Sequence, residues 1–144
     1  GVQTCLFRSS DFEKDLDKLV NETDTLCGEK GISLSGGQKQ RIALSRALIK
    51  NPDILIMDDC MSAVDGTTEK NILDNFIKIR SGKTNIIATH RISQVKDADE
   101  IIVLENGRIV ERGTHDSLMK QDGWYKEQYL RQTVESAYEK ECDE

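Results

Sequence analysis

Long apolar runs are absent from this sequence of 144 residues. No stretch approaches the roughly 18 to 20 consecutive apolar residues that a membrane-spanning helix needs. The first residues also lack the basic, apolar and small-residue pattern of a secretory signal peptide. The chain as given is therefore predicted to be soluble. Its 37% of hydrophobic residues are nevertheless enough to bury the core of one domain, which excludes a disordered tail.

A surplus of basic residues is also missing, since the formal net charge is −6. Nucleic-acid binders usually concentrate lysine and arginine on one face, and no basic stripe is visible here. We therefore expect no nucleic-acid partner. The four cysteines, Cys5, Cys27, Cys60 and Cys142, are far apart and form no CxxC pair. This spacing argues against a zinc site or a disulfide framework and favours reduced thiols.

Apolar residues at helix or strand spacing predict an alternation of the two element types. Phe12, Leu16 and Leu19 have the i, i+4, i+7 spacing of one short amphipathic helix. The apolar segment from Ile54 to Met57 predicts a strand buried on both faces, and a second strand is expected around Ile86 to Ala88. The helical stripe between them consists of Ile72, Leu73, Phe76 and Ile77. This order predicts an α/β fold with a mostly parallel sheet and flanking helices.

Turn and capping signals fill the C-terminal third. The expected strands Glu100 to Leu104 and Arg108 to Arg112 flank an Asn-Gly pair at the favoured two-residue position of a β-hairpin. The sheet is therefore expected to be mixed at its edge. Thr114 is placed to cap a short helix, and a final polar helix is expected to start near Trp124. His115 has no evident chemistry and is expected at the surface.

The strongest functional signal is a glycine turn before a helix. The turn consists of Leu34, Ser35, Gly36, Gly37 and Gln38, and the apolar face of the helix consists of Ile42, Leu44, Ala47 and Leu48. Two glycines at a helix start let a phosphate approach bare backbone N–H groups, while the helix dipole and the Ser35 hydroxyl favour its negative charge. The segment alone is equally compatible with an ordinary serine-capped helix.

A second signal is the carboxylate pair Asp58 and Asp59 at the end of the first strand. One aspartate can hold Mg²⁺ through water and its neighbour can orient an attacking water, although the pair alone could also be a simple turn. In this order and separation the two signals resemble the signature and Walker B motifs of the ABC ATPase family. The resemblance covers about residues 24–129. It implies a partial P-loop NTPase fold with ATP and Mg²⁺ as cofactors.

The family resemblance also implies a division of the chain and a partner. A partial helical subdomain with the signature would cover residues 1–50, the Walker B, D-loop and switch core residues 51–122, and a C-terminal helix and tail residues 123–144. In the family, two nucleotide-binding domains sandwich ATP head to tail. Ser35, Gly36 and Gly37, within the motif from Leu34 to Gln38, would therefore contact the γ-phosphate of ATP held by a second domain.

Two further segments match the family in order. Ser62 to Asp65 matches the D-loop, and Thr89-His90-Arg91 matches the switch histidine. The resemblance therefore implies that Asp58 binds the metal, that Asp59 and His90 are catalytic, and that Asp65 lies at the nucleotide. Asp65 could instead cap the following helix, and a histidine at a strand end is often structural.

The segment Thr25 to Gly31, just before the signature, resembles the one with which exporters of this family contact the intracellular loops of their membrane domain. Glu29 would make that contact. The segment favours an exporter, with a transmembrane domain as partner and a location at the cytoplasmic side of the cell membrane. A solvated Gly-Glu-Lys-Gly turn is the alternative.

The family's phosphate-gripping Walker A loop has no counterpart in this sequence. Gly82-Lys83-Thr84 has Ile77 where the loop requires another glycine, and it leads from a helix into a strand, the reverse of the required order. Val2-Gln3-Thr4 faintly resembles the glutamine-containing loop, which makes Gln3 a candidate metal-sensing residue. We expect the isolated chain, as a fragment, to bind ATP weakly, to hydrolyse none, and to expose apolar sheet surface.

Asp59 stands where the family normally has a catalytic glutamate. Its carboxylate is one methylene shorter, and a misplacement of about 1 Å can cost on the order of 100-fold in rate. Such an aspartate beside an intact signature resembles the degenerate-site half of a bacterial heterodimeric multidrug or lipid exporter. Because degenerate halves often lose the switch histidine and His90 is kept, a homodimer with a slow site stays open.

Two other functions stay open. A DNA-repair or chromosome ABC ATPase would share the signature, but neither the long coiled coil nor the basic surface of that class is visible. A non-catalytic interaction module could use the signature loop only to bind a partner domain. Six hydrophobic spans followed by Gly-x-x-x-x-Gly-Lys-Ser/Thr upstream of this chain would favour the exporter.

Overall fold

The computed structural model describes residues 10–16 and 34–142. The chain divides into two compact units, Gly1–Ala88 and Thr89–Glu144. Both combine helices with short strands, which confirms the predicted α/β fold. Within the described residues, no helix has the length and apolar character needed to cross a membrane.

The first unit contains the predicted strand, helix and strand. Its elements in chain order are α1 (Glu13–Leu16), α2 (Gly36–Ile49), β1 (Ile54–Asp58), α3 (Gly66–Ile79) and β2 (Thr84–Ala88). Strands β1 and β2 pair in parallel, from Ile54 opposite Thr84 to Asp58 opposite Ala88. The carboxyl ends of both strands therefore meet at one edge. Helix α1 and the buried Phe12 confirm the first part of the predicted short helix, whereas Leu19 lies outside the described residues.

One face of β1 packs on a core, and the other is exposed. Leu55 and Met57 point into a cluster of buried residues that also contains Leu44, Leu48, Met61, Val64, Ile72 and Phe76. Ile54 and Ile56 remain 60% and 68% exposed. The prediction of a strand buried on both faces is therefore wrong for this chain, because side chains alternate across a strand and only one side meets the helices. The expected exposed apolar sheet surface is confirmed.

A buried arginine sets how α3 meets the two strands. Arg80, at the end of α3, is 2% exposed. Its guanidinium donates to Asn85 Oδ1 at 2.9 Å, to the Thr84 carbonyl at 3.3 Å and to the Pro52 carbonyl. These acceptors lie at the starts of β1 and β2, so one side chain holds both strands and the helix in register.

The second unit is a hairpin with helices. Its elements are a short 3-10 helix (Ile92–Gln94), β3 (Ile101–Glu105), β4 (Arg108–Gly113), α4 (His115–Leu118) and α5 (Trp124–Cys142). Asn106 and Gly107 have φ values of 50° and 75°, which are the left-handed angles of a two-residue type I′ turn. The hairpin prediction is confirmed. The expected mixed sheet is not, since β3 and β4 form an antiparallel sheet of their own in the described residues.

Caps and aromatic contacts hold the helices of the second unit. Thr114 caps α4 through the Ser117 N–H, as predicted. The carboxylate of Glu111 on β4 accepts from the first N–H groups of α5, those of Trp124 and Tyr125. The core consists of Ile92, Ile101, Val103, Leu118 and Tyr125. His115 was expected at the surface, but it is half-buried, and its Nδ1 lies 2.9 Å from the Tyr125 hydroxyl.

Candidate functional site

Helix α2 begins with a reciprocal cap. The Ser35 hydroxyl accepts from the Gln38 N–H at 3.2 Å, and the Gln38 side-chain carbonyl accepts from the Ser35 N–H at 2.9 Å. Such a cap satisfies two of the N–H groups that a helix start leaves without intrahelical partners. Ser35 and Gly36 are exposed, so the helix start is open to solvent. A hydroxyl that accepts can still donate, which keeps Ser35 available to an anion.

The amide of Gln38 also ties this helix start to the segment before it. Its NH₂ group donates to Asp15 Oδ1 at 3.1 Å. Asp15 forms an ion pair with Arg41 at 2.7 Å, and Arg41 donates to the carbonyls of Asp11 at 2.8 Å and Gly37 at 3.4 Å. Gln38 thus positions the motif, and its direct contact with nucleotide stays a prediction.

The two glycines of the motif lie against the loop that follows β1. A Cβ atom on Gly37 would sit 2.6 Å from the carbonyl oxygen of Ala63, and one on Gly36 would sit 3.2 Å from the Ala63 Cβ. The first distance is shorter than real Cβ contacts, so Gly37 has to lack a side chain. From the sequence, the glycines were explained by phosphate approach alone. The packing against the predicted D-loop is a second reason for them.

Gln40 connects helix α2 with the loop that follows β1. This residue was not identified from the sequence. Its side-chain NH₂ donates to Ser62 Oγ at 2.9 Å and lies 3.4 Å from the carbonyl of Asp59. Its side-chain oxygen accepts from the Ala63 N–H at 3.0 Å. These partners are 19 to 23 residues away in the sequence, so no local pattern could have revealed them. Helix α2 and the loop predicted to be the D-loop are therefore held together within this chain.

The carboxylate pair lies at the carboxyl edge of the parallel strands. Asp58 ends β1 and is exposed, and Asp59 is half-buried. The Asp59 N–H donates to the carbonyl of Ala88 at the end of β2, at 2.9 Å. Asp59 has φ of 45°, in the left-handed region that aspartate tolerates better than most residues. The carboxyl edge is where open α/β sheets bind ligands.

Asp65 caps the helix that follows it, which was the structural alternative to a role at the nucleotide. It is the N-cap of α3, and its carboxylate accepts from the Thr68 N–H at 3.0 Å. This hydrogen bond holds the pKa of Asp65 below its ordinary value. Asp65 is nevertheless exposed, and its contact with nucleotide stays a prediction.

His90 belongs to the second unit, and the other described candidates belong to the first. It is exposed, and it follows the end of β2 by two residues. Gln132 of α5 binds the backbone on both sides of Arg91, with the carbonyl of His90 on one side and the N–H of Ile92 on the other.

Gln3 and Glu29 lie outside the described residues. Among residues 10–16 and 34–142, no three His, Cys, Asp or Glu side chains cluster as a metal site.

Comparison with known proteins agrees with this arrangement. The family model described as ABC transporter matches residues 8–62. The chain is 55% identical over 128 residues to a probable multidrug resistance ABC transporter ATP-binding/permease protein, YheI, of Bacillus subtilis, covering 89% of this chain and 22% of that protein. It is 48% identical over 130 residues to the multidrug resistance-like ATP-binding protein MdlA of Escherichia coli, covering 90% and 22%.

A solved structure supports the same assignment. The structure of a bacterial Atm1-family ABC exporter with ATP bound matches 91% of this chain and 23% of its own, with a TM-score of 0.85 and 40% sequence identity. The chain thus spans about a fifth of the length of the relatives it matches. The candidate signature and Walker B residues lie in the part of the chain that the family model matches, and together with these relatives they lead us to conclude that this chain belongs to the ABC transporter family.

Proposed function

We propose that this chain is the C-terminal part of the ATP-binding and ATP-hydrolysing subunit of an ABC exporter. It supplies the signature motif, Walker B, the D-loop and the switch histidine to a head-to-tail ATP sandwich that drives transmembrane export. The observation that carries the proposal is the close packing of Gly36 and Gly37 against Ala63 of the proposed D-loop. Two segments that the family uses at the ATP-facing surface are adjacent in this chain.

The start of α2 serves as the anion site of this proposal. Ser35, Gly36 and Gly37 contact the γ-phosphate of ATP bound mainly by a second nucleotide-binding domain. The free N–H groups at the N-terminus of a 14-residue helix and the exposed serine hydroxyl can donate to a phosphate, and the helix dipole favours its negative charge. Leu34 leads the chain into the cap, and Gln38 holds the cap closed.

Asp58 and Asp59 serve the nucleotide of this chain's own side. Mg²⁺ prefers oxygen ligands and is usually held by one or two carboxylates together with water and substrate phosphates. The exposed Asp58 at the carboxyl edge fits that requirement without further protein ligands. The ion, when bound, would neutralise charge on the phosphates. Asp59 orients the attacking water, Asp65 approaches the nucleotide from the D-loop, and His90 contacts the transferred phosphate.

The partners follow from the same proposal. The second nucleotide-binding domain presents the ATP, and a transmembrane domain contacts the segment around Glu29, at the cytoplasmic face of the cell membrane. A relative named as a probable multidrug resistance ABC transporter and the matched structure of an Atm1-family ABC exporter support an exporter. In this proposal the chain consists of a signature subdomain (residues 1–50), a catalytic core (residues 51–122) and a C-terminal helix and tail (residues 123–144). Gln3 would sense the metal.

We also propose that the catalytic site containing Asp59 is slow. Its carboxylate is shorter than the glutamate usual at this position, and its backbone is already held by the Ala88 carbonyl. The signature of this chain would then serve the competent site of a heterodimeric partner. A homodimer with two slow sites is the alternative.

The test is a pair of glycine substitutions in the full-length transporter. Gly37→Ala adds a Cβ 2.6 Å from the Ala63 carbonyl and must push the signature away from the D-loop. We expect the ATPase rate to fall by about 10- to 100-fold, because displacements near 1 Å have effects of that size. Gly66→Ala is the matched control, since a Cβ there meets no atom within 4 Å. Wild-type hydrolysis by Gly37→Ala would contradict the proposal.

A further inference from the structure

Several backbone groups of the segment Thr89–Ile92, which carries His90, are held by hydrogen bonds. The Thr89 hydroxyl accepts from the Arg91 N–H at 3.1 Å, which closes a local turn. The side chain of Ile92 is buried in the core of the second unit. The imidazole of His90 itself is exposed. The conformation of the backbone on either side of it is one of the factors that set its direction.

Gln132 holds that backbone at two points. Its side-chain NH₂ donates to the carbonyl of His90 at 2.8 Å, and its side-chain oxygen accepts from the N–H of Ile92 at 2.9 Å. A primary amide is the side-chain group that offers a donor and an acceptor side by side on a rigid plane. The two bonds bracket Arg91, so they restrain the torsions between His90 and Ile92.

The docking of α5 does not depend on these two bonds. Tyr125 is 1% exposed, and its hydroxyl lies 2.9 Å from His115 Nδ1. Tyr129 packs edge-on against the same imidazole, and Glu111 caps the first turn of the helix. Since these contacts anchor the N-terminal half of α5, the helix does not need Gln132 for its packing. The two hydrogen bonds of Gln132 instead hold the segment Thr89–Ile92.

We propose that Gln132 is a positioning residue for His90 and that it makes the C-terminal helix part of the control of ATP hydrolysis. The proposal rests on the proposed role of His90 at the transferred phosphate. In it, the amide of Gln132 keeps the His90 imidazole directed at the nucleotide, without touching the nucleotide itself. Loss of the amide lets the segment sample other directions, which lowers turnover and leaves ATP binding intact.

The experiment uses the full-length transporter with Gln132→Leu, which removes both hydrogen bonds, and Gln132→Glu, which keeps the acceptor for Ile92 and loses the donor to His90. Gln128→Leu, one turn earlier on α5, is the matched control. To make this chain's own site carry the turnover, ATP hydrolysis is measured in the Asp59→Glu background and, in a heterodimer, with the partner's catalytic site inactivated. We expect kcat to fall about tenfold in Gln132→Leu, with KM for ATP within about twofold.

A double-mutant cycle with His90→Ala separates positioning from a general structural effect. If Gln132 acts through His90, Gln132→Leu changes kcat by less than about twofold once His90 is gone. An equal loss with and without His90 overturns the proposal. An undiminished rate of hydrolysis in His90→Ala, in the same background, overturns the proposed role of His90 itself.

Hydrogen exchange tests the geometry without reference to activity. In Gln132→Leu, the Ile92 amide should exchange about tenfold faster than in wild type, while the amides of the first turns of α5 exchange at their wild-type rates. Gln128→Leu should change neither. Unchanged protection at Ile92 overturns the positioning role, whatever the outcome for His90.

Discussion

At the level of single residues, the backbone of Asp59 decides which substitutions are informative. Its φ of 45° lies in the left-handed region, where asparagine and aspartate are enriched over other residues. Asparagine therefore replaces the carboxylate without disturbing the turn. Glutamate adds the methylene that the family's usual catalytic residue has, at a small cost in backbone strain.

We predict that Asp59→Glu in the full-length transporter raises steady-state ATP hydrolysis, by about twofold if a partner's competent site already performs the turnover and by up to about 100-fold if both sites are slow because of a misplacement of about 1 Å. Asp59→Asn should change the total rate little if a partner's site performs the turnover. Measured phosphate release distinguishes the two architectures. Complete loss of hydrolysis in Asp59→Asn would exclude a degenerate site and favour a homodimer.

Residues also show where sequence reasoning reached its limit. The serine cap, the aspartate cap and the Asn-Gly turn were predictable because each depends on neighbours within four positions. Gln40 and Gln132 were not, since their partners are about 20 to 40 residues away. A glutamine can satisfy almost any backbone group, so its sequence neighbours carry no signal about its partner.

At the level of elements, the long C-terminal helix α5 depends on a carboxylate from a strand. Glu111 on β4 accepts from the first N–H groups of α5, and Gly123 allows it to come close. A Cβ on Gly123 would sit 2.6 Å from a Glu111 carboxylate oxygen. Anions stabilise helix N-termini, so β4 and α5 stabilise each other.

We predict that Gly123→Ala and Glu111→Ala each destabilise the start of α5 by about 1 kcal/mol, the usual magnitude for loss of an N-terminal cap. Hydrogen exchange of the Trp124 and Tyr125 amides in the full-length protein should accelerate by about fivefold. Glu105→Ala, at an exposed position of the hairpin, is the control and should have no effect there. Wild-type exchange in Glu111→Ala would show that another group caps the helix.

Elements were predicted best where their pattern is local and worst where burial depends on distant parts. The strand, helix and strand of the first unit and the hairpin of the second appear at the expected places. The burial of β1 was predicted wrongly, because an apolar run in the sequence does not show whether both faces of the strand are covered by other elements. The same limit explains why the hairpin was wrongly attached to the parallel strands.

At the level of the whole molecule, the apolar face of the first unit is a surface for association. Ile54, Ile56 and Ile86 are each about half exposed or more. Contiguous exposed apolar residues usually mark a contact with another segment or another chain. Two isoleucines of one strand, next to a third on the neighbouring strand, form such a patch.

We predict that this chain expressed alone self-associates at micromolar concentration. Replacing Ile54 and Ile56 together by threonine should reduce the association, since threonine keeps the strand propensity and removes apolar surface. Sedimentation velocity over a concentration series measures the effect. Ile109→Thr, at an exposed position of the hairpin, is the comparison and should leave association nearly unchanged. A monomer at all concentrations would contradict the prediction.

The most direct test of the account is a structure of the full-length transporter trapped with ATP, Mg²⁺ and vanadate. The account predicts that the Ser35 hydroxyl and the Gly37 N–H of this chain lie within hydrogen-bonding distance, about 2.7 to 3.2 Å, of the γ-phosphate position of nucleotide bound by the other domain. A trapped complex in which that phosphate position contacts neither residue would contradict it.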